Sequence, residues 1–331
     1  MDSKNNISRR DFLRYAGTFG VAMTAQGLIN NPLFAAEKAK DYNGFSSVFN
    51  NKRDLKLFNA RFDAKGLPVT TISDTGVIIP RMGLGCGSRF SAFALNSGLD
   101  AAHEMLNYAL DKGFYYWDTA PIYMGQDRKT GRTVYSEDVL GEVVKTRRNE
   151  ILLNSKMVTR DPDEFMFSLE TTLKKLNTDY LDMMMVHGVT SMENLQGVKD
   201  AKIVERMLDL KDQGVFRIFG FSGHSDAAPL KALIDMNCFQ NCLIAMDPYR
   251  PSNEGGLRED VVQYANDNNV GVMFIKAIRS YENKPQLNIS AEDGIRRALE
   301  FKGSTGVMVG MDSIDIVDKN VKILQDYASL V

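Results

Sequence analysis

From Arg81 onward the chain repeats one phrase: a short apolar run, a loop, then a segment of helical period. That repetition restricts the fold more than any single residue does. The apolar runs lie near Met82–Gly87, Phe114–Asp118, Ile151–Ser155, Leu181–Val186, Phe216–Ser222, Leu243–Met246, Gly271–Lys276 and Gly306–Gly310. Amphipathic stretches follow them in turn, at Leu99–Asp111, Glu137–Thr146, Asp163–Leu176, Val198–Gln213, Ala227–Met236, Arg258–Asn266, Ala291–Phe301 and Ile314–Tyr327. Short apolar strands separated by helices are buried on both faces and need crossover connections, which makes the sheet parallel. Eight units in roughly 250 residues suit a closed α/β barrel, the (β/α)8 TIM barrel, with a doubly wound open sheet as runner-up. Just upstream, Val69–Ser73 and Val77–Pro80 flank Asp74-Thr-Gly76, a hairpin signal.

With 331 residues, 44% hydrophobic and 25% charged, the chain can bury one large core or two smaller ones. A formal net charge of -2 supplies no basic excess, so a nucleic acid partner is not expected. Cys86, Cys238 and Cys242 stand in no CxxC pair and read as small core residues, a Cys238–Cys242 disulfide being the lesser alternative. Gly83-Leu-Gly85-Cys-Gly87-Ser88 imitates a dinucleotide fingerprint but has Ser at the third glycine position and no acid ending a second strand at the usual distance. It reads as a tight strand end. Met183-Met-Met185 reads as soft filling of a buried strand rather than a metal site.

The first 36 residues do not read as fold. Ser8-Arg9-Arg10-Asp11-Phe12-Leu13-Arg14 resembles the twin-arginine export motif, and a weakly apolar stretch from Tyr15 to Ile29 follows it. Residues 1–36 are therefore expected to be a signal peptide, residues 37–68 a linker or surface extension, and residues 69–331 the barrel. The expected location is periplasmic, reached through the twin-arginine machinery, with no membrane anchor on the mature protein. A cytoplasmic protein with an amphipathic N-terminal helix is the alternative.

In a parallel barrel the carboxyl ends of the strands share one mouth, and chemistry belongs there. The second strand ends at Asp118 with Tyr123 just beyond, the third ends Asn154-Ser155-Lys156, and the fourth runs into His187. Together they describe proton delivery to a carbonyl. A phenol of pKa ~10 needs a cation to stabilise its phenolate, and Lys156 is placed for that. A buried ammonium needs a counter-ion, which is the role of Asp118. His187 would orient the carbonyl oxygen by a hydrogen bond. None of these groups is a hydride source, so a nicotinamide has to come from outside.

Asp118-Thr-Ala-Pro-Ile-Tyr123, Ser136-Glu137, Leu140-Gly141, Lys156, His187, Gly220-Phe-Ser222 and Gly310-Met-Asp-Ser with Asp318-Lys319-Asn320 resemble, in order and spacing, the signatures of the aldo-keto reductase family. The resemblance covers about residues 69–330 and extends to a hairpin plugging the barrel floor. It implies that Tyr123 is the general acid, that Lys156 and Asp118 tune it, and that His187 positions a small-molecule carbonyl substrate. It further implies NADP(H), with NAD(H) as the alternative, laid across the mouth on Ser222, Lys276, Gly310, Asp312 and Asn320.

Three positions depart from the family pattern. Gly223 stands where many members have Asn, Leu243 or a neighbour where they have Gln, and Ile275 where a Tyr stacks on the nicotinamide. The wording Gly-Phe-Ser-Gly-His224 and Phe-Ile-Lys276 resembles a divergent bacterial branch whose members often carry a C-terminal iron–sulfur module, not expected here. With a short C-terminus, the mouth is expected to be shaped by Phe90–Asp100, Met124–Tyr135 and Arg279–Asn288. Two other functions compete. A cofactorless sugar-acting barrel would show paired carboxylates or metal-spaced ligands at the mouth. An exported relic barrel that binds without catalysis would retain the cluster as structure only.

Overall fold

In the computed structural model residues 52–224, 227–245, 259–278 and 290–329 are described. The signal segment, residues 37–51, the strand end at Met246, the helix start at Arg258 and the loop Arg279–Asn288 lie outside them. Eight parallel strands close into a barrel. In chain order they are β3 (Met82–Gly85), β4 (Tyr116–Asp118), β7 (Leu152–Met157), β8 (Met183–Val186), β9 (Ile218–Gly223), β10 (Asn241–Ala245), β11 (Gly271–Ile275) and β12 (Gly306–Val309). Pairing of β12 with β3, Met308 opposite Gly83, completes the ring and excludes the open sheet.

The interior is a packed core. Along each strand alternate residues face inward, and on β8 these are Met183 and Met185, whose sulfurs meet the Tyr116 hydroxyl at 3.3 Å and the Asn154 amide at 3.6 Å. Gly220 opposite them has to be Gly, because a Cβ there would lie 2.7 Å from the Asn241 carbonyl oxygen and 3.0 Å from Met185. Flexible thioethers thus occupy the space that inward glycines leave. All three cysteines are buried and unpaired.

The hairpin expected beneath the barrel is present, β1 (Val69–Thr71) antiparallel to β2 (Ile78–Pro80), with Ile72, Val77 and Ile79 fully buried. Ile72 approaches Gly271 at the start of β11, so the hairpin closes the amino-terminal end.

Part of the segment expected to be a linker or surface extension, residues 37–68, has regular structure: Lys52–Asn59 is a helix, α1, followed by a turn packed on the floor. Asn59 accepts from the Ile78 amide and donates to the Gly76 carbonyl, Phe62 stacks on Tyr115 at 5.0 Å, and Arg61 bridges to the fully buried Asp182. Eight residues with only Phe58 buried are too few to hold a helix on their own, and tertiary contacts stabilise them instead. The stretch Phe90–Asp100, expected to shape the mouth, is mostly helix α2 (Ser88–Ser97), which packs with Phe90 and Ala94 buried and precedes α3 (Leu99–Asp111). The stretch Met124–Tyr135 is a second hairpin, β5 (Met124–Gln126) with β6 (Thr133–Tyr135), laid against α2. Gly125 permits that contact, since a Cβ would sit 2.6 Å from the Ser91 carbonyl oxygen.

The outer helices after these are α4 (Ser136–Arg147), α5 (Phe165–Lys175), α6 (Met192–Asp200), α7 (Ile203–Asp212), α8 (Ala227–Ile234), α9 (Glu259–Asp267), α10 (Ala291–Glu300) and α11 (Ile314–Ala328). No helix among the described residues is long and apolar enough to cross a membrane.

Candidate active site

Register brings the expected residues together. Asp118 on β4 lies opposite Asn154 on β7, and Lys156, two residues on, shares the inward face with Asn154. Lys156 Nζ lies 2.6 Å from Asp118 Oδ1 and donates to the Thr119 carbonyl at 2.6 Å, with both members of the pair buried. Asn154 donates to the same carboxylate oxygen at 2.5 Å. The ammonium sits 4.9 Å from the centroid of the Tyr123 ring, and His187 meets that ring edge-on at 5.7 Å between centroids. All four expected groups therefore form one continuous contact chain.

Tyr123 is held by its backbone. Its amide donates to the Ala120 carbonyl, and its carbonyl accepts from Ser136, so the loop leaving β4 is tied to the start of α4. Ser136 Oγ in turn bridges Thr119 Oγ1 and the Cys86 carbonyl, joining the ends of β3 and β4. Glu137, 1% exposed, accepts from Ser155 and Thr172, which fixes α4 against β7 and α5. Ser136-Glu137 is scaffold around the cluster, one contact away from it.

The electrostatics set the protonation states. Burial raises the Asp118 carboxyl, opposed by Lys156 and then Asn154. Burial pulls the Lys156 ammonium down, but Asp118 and Tyr123 outweigh it and the net shift is upward, so the lysine stays charged. Burial raises the Tyr123 phenol, against the opposing charge and hydrogen bond of Lys156. The phenol is thus a retained proton, and Lys156 limits the cost of losing it. His187 is driven from 6.5 down to about 3, by burial first and then by Lys156, His224, Arg160 and Lys276. It is a neutral imidazole at ordinary pH.

The expected cofactor contacts are spread around the opposite side of the mouth. Ser222, 1% exposed, accepts from the Gly188 amide at 2.9 Å, so its hydroxyl ties down the turn after His187. Lys276 follows β11 in the left-handed region (φ 63) with Nζ 3.5 Å from His224 Nδ1. Past β12, Gly310 leaves space above the strand end, its nearest neighbour to a side chain being the Gly85 carbonyl at 3.6 Å. Asp312 is paired with Arg89 of α2 at 3.2 Å. Asn320 on α11 is 3% exposed, and its Nδ2 has no partner among the described residues. A buried amide without an acceptor costs about 1–3 kcal/mol, so this side of the mouth suits a ligand edge that accepts a hydrogen bond. The unpartnered Asn320 amide and the open space at Gly310 are compatible with a bound dinucleotide.

Sequence reasoning missed Asn154 and Arg160. Asn154 was legible, since a residue two before Lys156 on a strand shares its face. Arg160 was not, because its side chain is directed by the loop after β7. It donates to the carbonyls of Met157, Val158, Thr159 and His187.

A phenol, an ammonium–carboxylate pair and a neutral imidazole at the carboxyl ends of a parallel barrel define a class, the (β/α)8 barrels with titratable groups gathered at the mouth. The aldo/keto reductase family model matches residues 82–298, and the chain belongs to that family. It is 31% identical over 156 residues to the uncharacterized oxidoreductase YqkF of Bacillus subtilis, covering 44% of this chain and 45% of that protein. It is 27% identical over 220 residues to the aldo-keto reductase YhdN of the same organism, covering 62% and 60%. The chain therefore spans about half the length of these relatives. A solved aldo/keto reductase of Klebsiella pneumoniae in complex with NADP and acetate has the same fold, with TM-score 0.58 and 20% identity over 75% of this chain and 87% of that one.

Proposed function

We propose that this protein reduces the carbonyl group of a small aldehyde, ketone or sugar-like substrate to an alcohol, using NADP(H), with NAD(H) as the alternative. The observation that supports it is the unbroken contact from Asp118 through Lys156 and Tyr123 to His187 at the mouth. When bound, the nicotinamide supplies the hydride. Tyr123 gives the carbonyl oxygen its proton, and burial keeps that proton in place until it is needed. Lys156 stabilises the phenolate left behind, and Asp118 with Asn154 keeps Lys156 charged and aimed. His187, neutral, donates one hydrogen bond to the carbonyl oxygen and so fixes its approach.

Ser222, Lys276, Gly310, Asp312 and Asn320 are the residues we assign to holding the cofactor. The Klebsiella relative's NADP supports listing the phosphorylated form first. Asp312 speaks against a strong preference for the phosphorylated form, and its pairing with Arg89 lessens that repulsion without reversing it. Titrating the protein with both reduced cofactors by fluorescence decides the order, and a clear preference for NADH reverses it.

The test of the chemistry is Tyr123→Phe. Reduction should be abolished with the fold and cofactor affinity kept, because only the acidic proton is lost. Turnover near the wild-type rate would remove Tyr123 from its role. Export to the periplasm by the twin-arginine route is part of the same proposal, on the strength of the Arg9-Arg10 motif. Replacing both arginines by lysine should strand the protein in the cytoplasm, and undiminished periplasmic recovery would count against export.

A further inference from the structure

Beside the cluster an open cleft of about 770 Å³ runs from His187 along α6, lined among others by Ile122, Arg160, Glu193, Asp200 and His224. Its two ends differ in charge. At the inner end His187 is under the influence of Lys156, His224, Arg160 and Lys276, all cations or able to become one. Lys156 is matched by Asp118, whereas Arg160 forms no ion pair among the described residues and donates instead to four backbone carbonyls. Among the described residues those bonds leave its Nε–H and one Nη2 hydrogen without an acceptor. Burial with no counter-ion lowers its pKa, which marks a cation short of a partner. At the outer end α6 presents Glu193 and Asp200, together with Asn194 and Gln196.

A partly buried guanidinium clamped by carbonyls, with N–H groups to spare, is a preorganised site for a planar anion. Its clamp includes the His187 carbonyl, so it is tied to the residue that would orient the substrate carbonyl. We propose that Arg160 is a specificity-determining residue that recognises a carboxylate carried by the substrate, making short aldehyde acids and keto acids the preferred class. The acids of α6 set the polarity. They repel a carboxylate from the outer end and accept hydroxyl groups there, so the substrate enters anion first. This inference rests on the carbonyl-reductase reading and narrows it.

The test separates the two. Catalytic efficiency with 4-carboxybenzaldehyde is compared with that of its methyl ester, in the wild type, Arg160→Gln and Arg160→Lys. A charge-assisted hydrogen bond predicts a preference for the acid of about tenfold or more in the wild type, falling towards one in R160Q and partly restored in R160K. A wild-type ratio near one, or a ratio that R160Q leaves untouched, overturns the role of Arg160. Thermal stabilisation of the NADP⁺-loaded protein by benzoate, against benzamide, needs no turnover. If neither aldehyde is reduced, stabilisation by benzoate alone that is lost in R160Q upholds the anion site while the reductase reading falls. Equal effects of benzoate and benzamide overturn the anion site whatever the activity.

Discussion

Lys156→Met removes one member of a buried pair and leaves the other in place. Asp118 and Lys156 are 5% and 2% exposed and 2.6 Å apart, so the substitution strands a carboxylate inside the barrel with Asn154 as its remaining side-chain donor. The Thr119 carbonyl loses its partner as well. Deleting one partner of a buried pair typically costs about 3–5 kcal/mol, which for a domain of this size is on the order of 10 °C in Tm. The loss depends on pH, and its sign follows from the carboxyl. Burial already raises Asp118, and without Lys156 that effect is less opposed, so its folded pKa climbs further above the unfolded value. Stability is then fully present below the unfolded pKa and lost as pH rises through the folded one. Thermal melts followed by circular dichroism should therefore show a larger deficit at about pH 8 than at about pH 5. The double variant Asp118→Asn with Lys156→Met, which removes both charges, should recover much of the loss. A single variant within about 2 °C of wild type at both pH values would refute the claim that Lys156 compensates Asp118.

Three further outcomes follow from the same geometry. Because the folded pKa of His187 is near 3 against an ordinary 6.5, the stability it contributes is complete above the unfolded value and lost as pH falls towards 3. His187→Gln should flatten that acid limb of a Tm–pH curve, and an unchanged limb would assign the acid sensitivity elsewhere. Asn320→Leu should weaken cofactor binding several-fold in a fluorescence titration while raising the Tm of the free protein, since it removes a buried amide that lacks an acceptor among the described residues. Unchanged affinity would detach Asn320 from the cofactor. Asp182→Ala, which leaves Arg61 and Arg148 unpaired on the floor, should cost about 3–5 kcal/mol in denaturant unfolding, and a cost below about 1 kcal/mol would show that this network does not fasten α1.

The barrel was legible because its signal is collective: eight apolar runs at regular intervals leave few ways to bury them, whatever the individual residues. The cluster was legible for a related reason. Strand ends in a parallel barrel must converge, so Asp118, Lys156 and His187 could be placed in one mouth from their positions alone, and Tyr123 from its distance to Asp118. Other features had no local signature. Helix α1 is short and carries a single buried residue, and it exists because Asn59, Arg61 and Phe62 find partners on the hairpin, Asp182 and Tyr115. Helix α2 and the hairpin β5–β6 depend on each other across Gly125, a contact between segments more than thirty residues apart.

Protonation states show the same division. Residue types alone promised that Lys156 would ease the ionisation of Tyr123, but the depth of burial decides the balance and leaves the phenol raised and the imidazole neutral. Side-chain direction outside regular elements was equally hidden, which is why Arg160 came to notice only once four carbonyls were seen to hold it beside His187. The sequence by itself determined the architecture and which side chains meet at the mouth, since periodicity and strand-end position are properties of the chain. Desolvation, the contacts of short elements and the aim of a loop side chain depend on groups distant in sequence, and only the tertiary structure decided them.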